Sequence, residues 1–450
     1  MAFSRILIVG YGSIGQGLTP LLLRHFPSLQ PGQVNIVTAD EQGSAIARAY
    51  GIALHVCPLT EQNYRTVLSG FLSAGDVLIN VSVRVSSIDL IQWCQSNDVL
   101  YLDTCIEPWP GGYDGALRPV AHTTNCWLRE QALELRANGR ATALVAHGAN
   151  PGLVSHFVKQ GLLELARQKG VSNARPFAEI AQALGIRSIH VAERDTQDDG
   201  LPLAEGEFAS TWSPDGLMSE AYQHAEIGWG THELTPPANA AAHGLGGRCG
   251  VFLDARSATV KVKSWVPSAG RQTAYLITHH EVLSIADFLS VYDSNGSLSY
   301  RPTVFYAYHP SEKTCASLEN WAAMDFAMPR CKTLMRDAVR DGYDELGALL
   351  VFDGGAYWYG STLTHARAAE LAPCNNATSL QVASGVIGVL QWMLDHPREG
   401  VVEAEDLAHD AVLSVAMPYL GLVYGVETDW QPSGKGRLQF ADFLETRNSL

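Results

Sequence analysis

The sequence predicts an α/β fold with an N-terminal doubly wound parallel sheet over residues 1–150, followed by a second, mixed α+β domain. Three observations predict it. Short apolar strands alternate with helix-length segments up to residue 146, the pattern of a parallel sheet with helical connections. A glycine-rich turn, Gly10-Tyr11-Gly12-Ser13-Ile14-Gly15, joins the first strand to the first helix. From about residue 180 to 350 the pattern changes to short alternating strands separated by Gly, Pro and Asn turns.

The first strand is Arg5-Ile-Leu-Ile-Val9, apolar enough to be buried on both faces. The helix after the glycine turn is expected to run to about His25, with a kink or restart at Pro20, which lacks the amide hydrogen that an unbroken helix uses. Strands follow at 34–37, 52–56, 77–81 and 99–103, and a sixth at 143–146 leads into His147-Gly148-Ala149-Asn150-Pro151-Gly152 and a helix beginning near Leu153. A domain boundary is placed there. Residues 151–355 read as a substrate-binding and dimerisation domain, with strands at 259–263 and 275–278, and residues 356–450 as a helical segment packing on both domains. Within that segment Ser379–Leu394 is a strongly apolar helix that returns the chain to the first domain.

Composition narrows the function classes. At 450 residues and 46% hydrophobic, the chain buries large cores. Its 46 acidic against 31 basic side chains give a formal charge of −15, which repels nucleic-acid phosphates and anionic lipid and attracts a small cation. Eight cysteines form neither a CxxC pair nor a Cys/His cluster of zinc spacing, so no metal site is predicted and reduced thiols are expected. No apolar run reaches the length of a membrane span, and the expected location is the cytoplasm.

A lone GxGxxG says little, but here a strand precedes it, a helix follows it, and Asp40 stands 25 residues beyond Gly15 at the end of the next strand. That context makes it a Rossmann dinucleotide site. Gly10 permits the tight turn, Gly12 lets backbone approach a pyrophosphate, Gly15 lets helix pack on strand, and the backbone of Ser13 and Ile14 opens the helix toward the phosphates. A carboxylate at Asp40 suits free ribose hydroxyls and repels a 2′-phosphate, and no Arg follows it within five residues, so NAD is predicted over NADP. Ligands in such sheets lie beyond the carboxyl ends of the strands, which nominates Asn80, Ser82, Asp103, Thr104 and Asn150 as further cofactor neighbours.

Gly10-Tyr-Gly-Ser-Ile-Gly-Gln-Gly17, Leu102-Asp-Thr-Cys-Ile-Glu-Pro-Trp109 and His147–Gly152 together resemble the bacterial homospermidine synthases, relatives of the saccharopine dehydrogenases. Glu193-Arg-Asp-Thr-Gln197 and Asn376-Ala-Thr-Ser-Leu-Gln-Val382 extend the likeness over nearly the whole chain. The resemblance implies a homodimer in which bound NAD oxidises putrescine, a second diamine exchanges for ammonia as an imine, and the same hydride reduces it, with spermidine as an alternative donor. It further implies Glu107, Glu193 and Glu220 as carboxylates that anchor the diamine, Trp212 as the cation–π residue, and Asn150 and His279 as the rest of the pocket. Glu207, Trp229 and His280 are second choices nearby.

Taken without the resemblance, these residues have plainer readings. Trp212 can simply cover a turn, Glu193 and Glu220 can be solvated surface charges, and His279-His280 can be a strand residue beside an exposed one. Two rival functions stand beside the synthase. A reductive-amination enzyme of the saccharopine or carboxynorspermidine type needs an Arg or Lys clamp for substrate carboxylate, for which Arg187, Arg194 and Arg301 are candidates. A non-catalytic NAD-sensing protein would need only the nucleotide fingerprint.

Overall fold

The computed structural model describes residues 3–246, 248–336, 338–432 and 437–445. The chain forms two compact units: Met1–Thr123, Trp127–Leu153 and Ala366–Leu420 make the first, and Thr124–Cys126, Val154–His365 and Gly421–Leu450 the second.

The first unit is built on β1 (Ile6–Val9), β2 (Val34–Thr38), β3 (Ala53–Val56), β4 (Val77–Asn80), β5 (Leu100–Asp103) and β6 (Ala143–Leu144). All neighbours are parallel, in the order β3-β2-β1-β4-β5-β6, and Val401–Val402 adds a seventh strand beside β6. Every residue of β1, β4 and β5 is buried, as a sheet covered by helices on both faces requires, whereas the edge strand β3 is largely exposed. The sheet order reverses between β1 and β4, and the glycine turn sits at that switch point.

Helix α1 (Ser13–His25) does not restart at Pro20. The apolar helix Ala377–Asp395 packs along α1, and Asn375 Nδ2 donates to the Gly17 carbonyl (2.9 Å). Packing of the buried Pro20 turn outweighs the single backbone bond that the ring removes. The returning helix opens on an Asn376–Ser379 capping box. It is long and apolar enough to cross a membrane, but most of it is buried in this unit. Beyond it, the buried Arg129 guanidinium forms a two-pronged pair with Glu403 (2.7 and 2.8 Å).

The second unit carries a ten-stranded mixed sheet. Its central strand β7 (Ile186–Asp195) pairs in parallel with Thr303–His309 and antiparallel with Tyr343–Phe352, which turns into Gly355–Thr364 and then the edge strand Leu422–Thr428. Residues 356–450 are therefore not a purely helical segment: they contribute two strands to this sheet, and to the other unit the helices His365–Leu371, Ala377–Asp395 and His409–Ala416 with the strand Val401–Val402. Asp353-Gly354 closes a hairpin whose ten-residue strands are almost wholly buried, and the boundary expected at 355 falls inside it. The strands expected at 259–263 and 275–278 are Lys261–Val266 and Gly270–Ile277, paired as a hairpin and joined to Thr303–His309.

Period-two alternation gives the sheet two chemically different faces. Ala192, Phe305, Ala307, Leu349 and Val351 face an apolar core with Trp430, Phe440 and Phe443. The alternate residues, Glu193 and Asp195 of β7 and Tyr306 and Tyr308 beside them, occupy the opposite face.

Candidate functional site

In the first unit the glycine turn presents an uncapped helix end. Gly10 takes φ +87°, and a side chain there would strike the Ser82 backbone at 2.8 Å, so only glycine carries the chain through this turn. A Cβ at Gly15 would stand 2.8 Å from the Gly10 carbonyl. Gly12, by contrast, has nothing within 4 Å of the position a Cβ would take, and as N-cap it provides no side chain to cap α1. The next hydroxyl, Ser13 Oγ, is buried yet has no hydrogen-bond partner among the described residues. Open space before free helix N–H groups, with an orphaned hydroxyl beside it, fits a pyrophosphate.

The remaining cofactor candidates line the carboxyl ends of the same sheet. Asp40, two residues past β2, is exposed and accepts from the Gln42 amide (2.8 Å). Asn80 Oδ1 accepts from Ser82 Oγ (2.6 Å), fixing the loop that faces Gly10. Asp103 is fully buried and accepts from Tyr101 Oη (2.7 Å) and the Ala146 amide (2.6 Å), which ties β5 to the end of β6. Its carboxylate is thus engaged with protein groups and acts by position. Thr104 is half-buried beside Gly148, and Asn150 is half-buried ahead of a cis bond to Pro151. Glu107 is 4% exposed; its Oε2 accepts from the Arg84 amide (3.3 Å) and its backbone is bonded to Ser87 in both directions.

The second unit brings four of the expected residues to one cluster. Glu193, 3% exposed, accepts from Tyr306 Oη (2.5 Å). The Tyr306 ring lies 4.5 Å from the His279 imidazole and stacks on Tyr308 at 5.5 Å. His279 bridges two carboxylates, with Nε2 3.1 Å from Glu220 and Nδ1 3.1 Å from Glu281. Burial disfavours a charged imidazole, but Glu281 and Glu220 outweigh it and hold His279 protonated well above the usual histidine range. Neither His279 nor His280 is an exposed strand residue: both are buried, just past Gly270–Ile277 where the helix Glu281–Phe288 begins.

Trp212 precedes the helix Pro214–Tyr222, whose N-cap Ser213 accepts from the Gly216 amide (3.0 Å) and whose last turn carries Glu220. The indole lies on Gly216 so closely that a Cβ there would be 2.7 Å from Cζ3. Trp212 therefore does cover a helix turn, and its N–H also faces the Tyr308 hydroxyl. Asp195, on the same face, accepts from Thr211 Oγ1 (2.6 Å); burial raises its carboxyl to about 6 against the lowering effect of its Thr211 and Gln197 bonds. Tyr306 and Tyr308 carry no sequence signal beyond alternation in an otherwise apolar strand pair, whereas Asp195 lies in the segment Glu193–Gln197 that carries the resemblance without being assigned a role by it.

The second choices are placed elsewhere. Trp229 packs against the apolar core of the other sheet face, and Glu207 accepts from the Ala204 amide (2.7 Å) and lies 4.0 Å from Lys313. Among the possible carboxylate clamps, Arg187 is a surface partner of Asp353, Arg301 is buried and bonded to Ser290 and the Arg248 carbonyl, and Arg194 donates to Gln272. Among the described residues no group of His, Cys, Asp and Glu is arranged to hold a metal ion.

Comparison with known proteins places the chain in a family. Residues 6–146 match the family model described as saccharopine dehydrogenase NADP binding domain, and residues 148–425 the saccharopine dehydrogenase C-terminal domain. The chain is 42% identical over 439 residues to a homospermidine synthase of Blastochloris viridis, covering 95% of this chain and 92% of that one. A crystal structure of a homospermidine synthase from Legionella pneumophila in complex with NAD superposes with a TM-score of 0.91 at 40% identity, covering 98% of each chain. The saccharopine dehydrogenase (L-Glu forming) of Saccharomyces cerevisiae shares the fold alone, with a TM-score of 0.52 at 11% identity over 94% of this chain and all of that one. The chain belongs to the homospermidine synthases, within the saccharopine dehydrogenase family.

Proposed function

We propose that the chain carries out NAD-dependent aminobutyl transfer, joining two putrescine molecules to sym-homospermidine with release of ammonia and no net redox change. Spermidine serves as an alternative donor. The observation that carries this reading is the meeting of buried Glu193 and a charged, buried His279 with half-buried Glu220 and Trp212 around Tyr306 and Tyr308.

NAD held at the glycine turn would supply reversible hydride exchange with the carbon that bears the substrate nitrogen. The protein's part is to hold ligand and charge. The Gly12 space, Ser13 and the first α1 amides receive the pyrophosphate, and Asp40 accepts from the ribose hydroxyls. Glu193, oriented by Tyr306, and Glu220, oriented by His279, bind ammonium ends. Trp212 offers a π face where positive charge develops on the substrate. Because His279 remains protonated, Glu220 is half neutralised and holds a cation without binding it so tightly that product stays. Glu107 and Asn150 supply an acidic and a neutral acceptor at the carboxyl ends of the nucleotide sheet. Asp103 orders the loop between them.

Eight cysteines with neither a CxxC pair nor zinc-type spacing support a reducing, cytoplasmic setting, and the family resemblance supports a homodimer. The test is incubation of the purified enzyme with putrescine and substoichiometric NAD, followed by mass spectrometry. A triamine exceeding the NAD supplied is expected. NADH accumulating in proportion to a carboxylated substrate, with no triamine, would overturn the reading in favour of a dehydrogenase, and NAD binding with no product from any diamine would favour a sensor.

A further inference from the structure

The strand Thr303–His309 places two tyrosines on the face that bears Glu193 and Asp195. They have different surroundings. Tyr306 spends its hydroxyl proton on Glu193. Tyr308 is 1% exposed, and no described residue meets its hydroxyl with full hydrogen-bond geometry; the Trp212 side chain alone reaches it, weakly, and leaves one oxygen lone pair and the hydroxyl proton without a protein partner.

An unmatched hydroxyl at this depth costs about 1–3 kcal/mol when nothing compensates it, so a ligand that supplies the missing partner gains by doing so. Here the neighbours define that use. Stacking on Tyr306 and the strand register fix the ring, and three carboxylates (Asp195, Glu193 and Asp344) act on the hydroxyl electrostatically. Burial first, then these charges, keep the phenol neutral, so its oxygen lone pair is always available. A neutral acceptor ringed by negative charge, beside an indole, matches an N–H of a cationic nitrogen and mismatches a carboxylate or an apolar group.

We propose that the Tyr308 hydroxyl is a specificity-determining contact that accepts an N–H from the substrate nitrogen seated against Trp212. This rests on the diamine reading above and deepens it. Trp212 senses charge on that nitrogen and Tyr308 senses whether the nitrogen carries hydrogen. Cationic nitrogens that have N–H bonds are thereby favoured over fully alkylated ones.

The test uses the holoenzyme and Tyr308→Phe, which keeps the stacked ring and removes one oxygen. Losing a hydrogen bond to a charged group should raise KM for putrescine about ten- to hundredfold. The affinity for NAD should stay as in the parent, and the unfolding temperature should not fall, because the variant sheds an unmatched buried hydroxyl. Butyltrimethylammonium, a cation without N–H, should inhibit both forms with the same Ki. An unchanged putrescine KM in Tyr308→Phe would overturn the proposal, as would an equal loss of butyltrimethylammonium inhibition, which would mean that the hydroxyl acts only by placing Trp212. If the parent makes no triamine, the functional reading fails on its own, and calorimetric titration of putrescine into parent and variant still decides the contact: equal affinities, or no binding to the parent, would refute it.

Discussion

Gly216→Ala reaches the site without removing any group proposed to touch substrate. The new methyl would stand 2.7 Å from Trp212 Cζ3, 3.1 Å from Cη2 and 3.1 Å from Ser213 Oγ. Real carbon contacts do not close to that distance, so the indole must be displaced by several tenths of an ångström. Two stability effects oppose each other. Alanine in place of glycine in the first turn favours the helix by up to about 1 kcal/mol. Crowding a packed site costs about 1–3 kcal/mol. The balance is a loss of about 0–3 kcal/mol, and at about 2–4 °C per kcal/mol the unfolding temperature falls by no more than about 12 °C. Catalysis responds differently. A cation–π contact contributes about 0.5–2 kcal/mol, so displacing the ring lowers kcat/KM for putrescine by about 2- to 30-fold. Steady-state kinetics beside a thermal melt followed by circular dichroism separates the two effects. A variant that melts several degrees lower yet keeps its full kcat/KM would show that the seat of Trp212 on Gly216 has nothing to do with turnover.

Other outcomes follow from the same geometry. Gly12→Ala meets no protein atom within 4 Å, so it should melt like the parent while its NAD affinity, measured by tryptophan quenching, falls at least about tenfold; unchanged affinity would mean that no pyrophosphate approaches there. Glu193→Gln removes a buried charge and should raise putrescine KM by about two orders of magnitude, more than any effect of Trp212→Phe, since charged partners contribute about 2–5 kcal/mol; the reverse ranking would contradict the assignment. The pH dependence of stability tests His279: its folded-state pKa lies above the unfolded value, so its contribution is complete below about pH 6.5 and is lost as pH rises through the folded value. Glu220→Gln lowers that folded value, so the variant's melting temperature should begin to fall at a lower pH than the parent's; superimposable pH profiles would rule out the pair.

The nucleotide unit was legible because local signals agree with one another there. Ile6–Val9, Gly10–Gly15 and the next strand each specify strand, turn and strand by composition alone, and no distant partner is needed to interpret them. The restart expected at Pro20 does not occur, for the opposite reason: the tolerance of a proline there depends on a helix more than 350 positions later in the chain. The boundary at 355 is misplaced although Asp353-Gly354 is a hairpin signal, because the following Gly355–Thr364 lacks a run of β-branched residues and is held by pairing on both sides. In the second unit, Glu193, Glu220 and His279 are spaced so far apart that only register can bring them together. Tyr306 and Tyr308, in Phe305-Tyr-Ala-Tyr308, look like plain core. Only the sheet shows that the phenylalanine points to one side and both tyrosines to the other.

The interruption of the first unit by the second sets an order of events during synthesis. Residues up to Leu153 emerge with six strands but without the helix Ala377–Asp395 that lies along α1 or the strand Val401–Val402 that closes one sheet edge. At about 5–20 residues per second, the ribosome needs roughly 12–50 s to deliver those missing pieces. For that interval the nascent chain carries an unfinished nucleotide site with a bare apolar flank, open to chaperones and unable to reach its full stability. Cutting the gene after Leu153 would make that transient condition permanent.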